Sequence, residues 1–333
     1  MNQGSGVRGQ GSEVKNPQLI TQNSKLLFMF PGQGSQYVGM GKTFFDNFKV
    51  AKDTFEEADD ALGLKIGSLC FNGPEADLKL TYNTQPAILT ASIAAMRVIS
   101  SETPLKPSLL AGHSLGEYTA LVAADVLSFR DAVCLVKARG KYMDEAVPAG
   151  TGGMAAILGM EKDKVEELCK EASKGEVVVP ANFNCPGQIV ISGHAGAVTR
   201  AVDLAKKKGA KAILLPVSAP SHSPLMDPAG ERLSKELEKI GIMDIKYPVI
   251  SNADADFYPS KDKVSSLLVK QLSMPVRWEE SVAKALSSGT EAFIEIGPGK
   301  VLCGLLKRIN REIKSFNVED VDSLKVVQNI FNA

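Results

Sequence analysis

Long apolar runs are missing from this chain. Stretches such as Ala87–Met96 carry polar residues and are too short to cross a bilayer, which takes about 20 residues. Charge of one sign is missing too: Lys and Arg number 38 and so do Asp and Glu, for a net charge of zero. No global field draws the chain to nucleic acid or to an anionic membrane, and neither is expected as a partner. The five cysteines (Cys70, Cys134, Cys169, Cys185 and Cys303) stand far apart. No C-x-x-C pair occurs, so neither a zinc site nor a disulfide framework is indicated, and no metal is expected. An odd count without a signal peptide suits a reducing cytosol, so a cytoplasmic location is expected. Histidine is scarce, at three residues: His113, His194 and His222.

Phosphate-binding fingerprints fail as well, although glycine-rich turns invite them. A G-x-G-x-x-G starting at Gly32 needs a third glycine where Tyr37 stands. Gly41–Lys42–Thr43 resembles the end of a phosphate loop, but the required first glycine falls on Gln36. Gly297–Pro298–Gly299–Lys300 fails in the same way, with Ile294 in place of glycine. Residues Met1–Lys25 are rich in Gly, Gln, Asn and Ser and read as a disordered leader.

What remains is an ordinary globular composition, 333 residues with 44% hydrophobic and 23% charged, enough for a large domain and a smaller one. Its most informative stretch is Leu109–Leu110–Ala111–Gly112–His113–Ser114–Leu115–Gly116–Glu117–Tyr118. An apolar strand runs into Gly-x-Ser-x-Gly, and a helix opens at Leu115. Such a nucleophile elbow holds a serine at the tip of a tight turn and aims the helix amides at the same point. Ser114 is the expected nucleophile. Leu26–Phe30 reads as a buried strand leading into Pro31–Gly32–Gln33–Gly34–Ser35–Gln36. That loop is either a plain turn or a means of carrying Gln33 toward the elbow.

Thr84–Gln85–Pro86 followed by Ala87–Ser100 reads as a capped helix with proline near its first turn. Ser128–Phe129–Arg130–Asp131 starts another, running to about Val147. On it Arg139 shares an inward stripe with Val136 and Met143 and needs a partner there, unless it snorkels or pairs at the surface. Beyond Gly153 the order is strand 154–160, helix 162–173, strands 177–182 and 188–192, helix 197–208 and strand 211–217. That is βαββαβ, a ferredoxin-like split unit. Pro220 and Pro224 then bracket His222 in a stiff loop, which makes it the best base. His113 would point away from the Ser114 side chain, and His194, in a Gly-rich turn, reads as exposed. Helices 263–272 and 300–309 flank a strand at 292–296, and the segment beyond Arg311 is weakly patterned.

Several of these stretches together resemble the malonyl-CoA:acyl carrier protein transacylase family, the stand-alone bacterial enzymes of type II fatty-acid synthesis. They are Phe30–Gln36, Gly112–Tyr118, Asn182–Phe183–Asn184 with Pro186–Gly187–Gln188, Pro220–Ser221–His222 and Glu295–Leu302, in order from about Leu26 to about Arg311. The resemblance implies that Ser114 is acylated and that His222 is its base. It implies an oxyanion hole from Gln33 and the Leu115 amide, and a pairing of Arg139 with the malonyl carboxylate. It also implies that the Gln271 carbonyl orients the histidine. The partners implied are malonyl-CoA and the phosphopantetheine thiol of acyl carrier protein, with no cofactor. No convincing acid lies between Ser114 and His222, which favours a dyad. The rivals are a serine esterase or thioesterase on the same elbow and a non-catalytic carrier-protein-binding module.

The expected layout is α/β. A disordered leader spans residues 1–25, and an α/β-hydrolase-like catalytic domain with a parallel sheet spans 26–150 and 219–315. A ferredoxin-like small domain is inserted over 151–218, and a C-terminal tail follows over 316–333.

Overall fold

The computed structural model describes residues 24–217 and 219–331, so the expected leader lies outside the described residues except for Ser24 and Lys25. The elements begin with β1 (Leu26–Phe30), α1 (Lys42–Asn47), α2 (Lys49–Leu62), α3 (Ile66–Asn72), α4 (Glu75–Leu78) and α5 (Thr81–Glu102). Next come β2 (Leu109–Gly112), α6 (Leu115–Ala123), α7 (Phe129–Glu145), β3 (Gly152–Leu158), α8 (Lys162–Ser173), β4 (Val178–Cys185), β5 (Gln188–His194), α9 (Ala195–Lys207) and β6 (Lys211–Leu214). The remainder is α10 (Asp227–Leu237), β7 (Val249–Ile250), α11 (Val264–Ser273), α12 (Trp278–Ser287), β8 (Ala292–Ile296), α13 (Val301–Ile309), β9 (Lys314–Val318) and α14 (Val321–Phe331).

Continuous apolar runs make the central strands: β1, β2 and β8 are buried at every position, as parallel strands covered on both faces must be. They form a five-stranded parallel sheet in the order β7-β2-β1-β8-β9. With all strands parallel, their carboxyl ends share one edge, where α/β sheets bind ligands. At that edge β1 runs into the Gln33 loop, β2 into Ser114, β7 into Asn252, and β8 into the turn before α13.

The second sheet is antiparallel, in the order β4-β5-β3-β6, with α8 and α9 packed on it through Val165, Leu168, Val198 and Ala201. This is the βαββαβ unit read from the sequence. It is sewn to the rest of the chain along β4. Phe183 N donates to Val276 O at 2.9 Å, and Val276 N to Ala181 O at 2.8 Å.

Several expectations need correction. The helix expected to be capped at Thr84 begins at Thr81, with Pro86 inside it. The Thr84 hydroxyl does not cap; it donates to the Leu78 and Leu80 carbonyls. β4 continues to Cys185, past the expected end at Asn182, because Gly187 (φ 67°) lets a two-residue turn close the hairpin. His194 is not exposed: it is half-buried at the end of β5, where its Nδ1 accepts from Val177 N at 2.9 Å. Beyond Arg311, β9 extends the parallel sheet, and α14 buries Leu324, Val327 and Phe331 in the main core. Mixed polarity hides that strand in the sequence, since it lies at the sheet edge and pairs on one side.

Candidate active site

The elbow is built by close approach. A Cβ on Gly112 would sit 1.9 Å from the Gly116 backbone, and one on Gly116 would sit 2.0 Å from Phe30 O, so neither position admits a side chain. Between them Ser114 takes φ 51° and ψ −104°, a strained conformation that lifts its hydroxyl off the sheet edge. Asn252, just past β7, clamps both sides of the turn. Its Oδ1 accepts from Ser114 N at 2.6 Å, and its Nδ2 donates to Gly112 O at 2.7 Å.

Ser114 Oγ lies 2.8 Å from His222 Nε2. His222 is buried in the Pro220–Pro224 loop with φ 60°, and its Nδ1 lies 2.7 Å from Gln271 O. A carbonyl can only accept, so Nδ1 carries the proton and Nε2 presents a lone pair to the serine. Burial first, and then the nearby Arg139 charge, push the imidazole pKa down to about 3, which keeps the ring neutral near pH 7.

Arg139, on α7, is 1% exposed. Its hydrogen-bond acceptors are neutral: Gln85 Oε1 at 2.8 Å, Gln271 Oε1 at 3.0 Å and Ser114 Oγ at 3.2 Å. Its Nε–H is buried with no acceptor among the described residues. α7 can present it here because Gly140 lets the helix press on the start of α5, where a Cβ would meet Tyr82 Cα at 2.7 Å. Ser114, Leu115, Arg139, His222 and Gln33 line one cavity of about 220 Å³. Gln33 is exposed at its mouth. The Leu115 amide opens the first turn of α6, where helix amides lack intrahelical acceptors. Gln271 stands behind the cavity wall. The structure thus brings all six expected residues to one place. His113 turns away from Ser114 Oγ, as expected, and its Nε2 meets Asn184 Oδ1 at 2.9 Å.

The family profile for the acyl transferase domain matches residues 27–330. The chain belongs to the acyl transferase family. It is 51% identical over 305 residues to a malonyl CoA-acyl carrier protein transacylase of Bacillus subtilis, covering 91% of this chain and 96% of that protein. The structure of the malonyl CoA-acyl carrier protein transacylase from Coxiella burnetii superposes with a TM-score of 0.92 at 42% identity, covering 94% of this chain and 100% of the other. A type II PKS acyl-carrier protein in complex with its malonyl-transacylase provides another match, with a TM-score of 0.90 at 45% identity over 93% of this chain and 100% of the other.

Sequence reasoning about this acyl transferase missed a layer behind the reacting groups. Glu117 is fully buried and accepts from Tyr258 Oη, from Gln271 Nε2 at 2.6 Å and from Asn252 N at 3.1 Å. Burial outweighs these bonds and pushes its pKa up to about 7. Glu117 falls three residues after the serine, inside the motif already singled out. Gln85 stands beside Pro86 in a run that is otherwise apolar, and a polar residue there is itself a signal. Asn252 follows a two-residue strand and has no periodic pattern to betray it. No helix of the described residues is long and apolar enough to cross a membrane.

Proposed function

We propose that this chain transfers the malonyl group of malonyl-CoA to the phosphopantetheine thiol of acyl carrier protein through an ester on Ser114. The observation that carries the reading is the serine Oγ standing between a neutral imidazole at 2.8 Å and a buried guanidinium at 3.2 Å. His222 Nε2 takes the hydroxyl proton as Oγ attacks the thioester carbon. The Leu115 amide and the Gln33 side chain receive the oxyanion, and one such donor is worth about 3 kcal/mol. Collapse breaks the C–S bond, and the CoA thiolate takes the proton from His222. The carrier thiol then gives its proton to His222 and attacks the ester, and Ser114 recovers its hydrogen.

Arg139 is assigned to the malonyl carboxylate. Its neutral acceptors and its vacant Nε–H support this, because a buried cation with no anion in hydrogen-bond contact is costly until one arrives. Acetyl-CoA brings no anion and is discriminated against. Five free cysteines fit a reducing compartment, and we assign the enzyme to the cytoplasm.

Intact mass after mixing with malonyl-CoA tests the scheme. The parent gains one malonyl group, holds it in water and loses it on addition of carrier protein. Ser114→Ala gains nothing. Uptake by the alanine variant would move the nucleophile elsewhere, and release to water as fast as to carrier would make the enzyme a thioesterase.

A further inference from the structure

The scheme above leaves Glu117 unused. A fully buried carboxylate is costly unless its surroundings need it, and the ones around Glu117 are specific. Its three donors come from two segments, the loop after β7 (Asn252 and Tyr258) and α11 (Gln271), and both segments hold the reacting groups. Asn252 clamps the elbow on both sides of the serine. Gln271 is the more informative. Its main-chain oxygen holds His222, its Nε2 donates to both Glu117 and Ser114 O (2.9 Å), and its Oε1 accepts from Arg139.

A glutamine amide has one accepting end and one donating end, and the two are nearly identical in shape. Two acceptors, Glu117 Oε2 and Ser114 O, face the same end of Gln271. That end is therefore the NH₂ group, and the oxygen is turned toward the guanidinium. Rotated the other way, Nε2 would meet the Arg139 donors and Oε1 would meet the carboxylate, leaving both contacts repulsive. We propose that Glu117 is a positioning residue for substrate selection. Acting through the Gln271 side chain, it fixes the Arg139 guanidinium in the direction that receives the acyl carboxylate. This rests on the assignment of Arg139 made above.

The test compares kcat/KM for malonyl-CoA and acetyl-CoA in the parent, Glu117→Gln, Gln271→Met, the double variant and Arg139→Ala. Gln271→Met keeps the main-chain carbonyl that holds His222 and removes the amide, which takes away the relay and also its bond to Ser114 O, a loss that bears on both thioesters alike. Glu117→Gln and Gln271→Met should each lower malonyl-CoA by about tenfold or more, as expected for a hydrogen bond to a charged group, and acetyl-CoA by less than about threefold. The double variant should fall no further than the worse single one, because both changes act on one link, Glu117→Gln by removing the charge of its acceptor and Gln271→Met by removing its donor. Equal losses on the two thioesters, or losses that multiply, would overturn the proposal. Thermal midpoints identify any variant that fails to fold. If Glu117→Gln does, Glu117→Asp replaces it under the same criteria, being one methylene short of Gln271. Arg139→Ala separates the two claims. If it keeps the malonyl preference, the carboxylate assignment itself has failed. If it loses the preference while the Glu117 and Gln271 variants keep it, only the relay has failed.

Discussion

Arg139 and His222 can be probed one side chain at a time. Arg139→Ala takes away a charge-assisted donor pair, so malonyl-CoA should lose kcat/KM by about a hundredfold, while acetyl-CoA holds steady or rises. Rapid-quench acylation with each thioester reads this directly, and a parallel fall in both would make Arg139 structural. His222→Ala should slow both half-reactions by about a hundredfold or more, since the proposed scheme uses one imidazole as base and then acid in each. His222 also leaves a mark on stability. Its folded pKa lies near 3 against an ordinary 6.5, so below about 6.5 the unfolded chain takes up a proton that the folded chain refuses. Its contribution is complete above that pH and is lost as pH falls. Glu117 has the opposite sign: with its pKa raised to about 7 from 4.5, stability declines as pH rises between the two. Urea unfolding between about pH 6.5 and about pH 4.5 should therefore show His222→Gln gaining on the parent with acidification. A constant offset would refute the imidazole assignment.

At the scale of elements, the elbow is the part most exposed to a single methyl group. Gly116→Ala puts a Cβ 2.0 Å from Phe30 O, and only separation of α6 from the end of β1 relieves it. A loss of about 1–3 kcal/mol, together with loss of Ser114 acylation, is expected from denaturant unfolding and intact mass. The same elements show what a sequence can reveal. β1, β8 and α8 were readable to the residue, because an uninterrupted apolar run or a clean amphipathic stripe carries its own boundaries. The start of α5 was misread because Pro86 resembles a first-turn proline, although tertiary packing on both sides carries the helix through it. Ser114 and His222 were legible from local chemistry, a Gly-framed turn and a Pro-framed loop. Arg139 was legible as a charge on a core stripe. Asn252 and the Gln271 side chain were not, because their roles depend on which distant segments the sheet order brings together.

For the molecule as a whole, residues 314–331 belong to the main body, β9 extending its sheet and α14 closing its core. Ending the chain after Arg311 would remove β9, bare the edge of β8 and uncover the core that Leu324, Val327 and Phe331 close. Such a variant should aggregate or unfold well below the parent midpoint; a soluble, fully active product would show the segment to be dispensable. The backbone stitch at Val276 has a further consequence. The chain leaves the parallel sheet once for the antiparallel one and returns once, which by itself is a two-strand hinge. The pair of hydrogen bonds between Val276 and β4 adds a third anchorage, only five residues beyond Gln271. Swinging the smaller sheet away would break both bonds and tug on the carbonyl that holds His222. The molecule is accordingly a braced frame and not a clamshell. In the transfer proposed above, CoA and the carrier thiol meet the same braced doorway in turn.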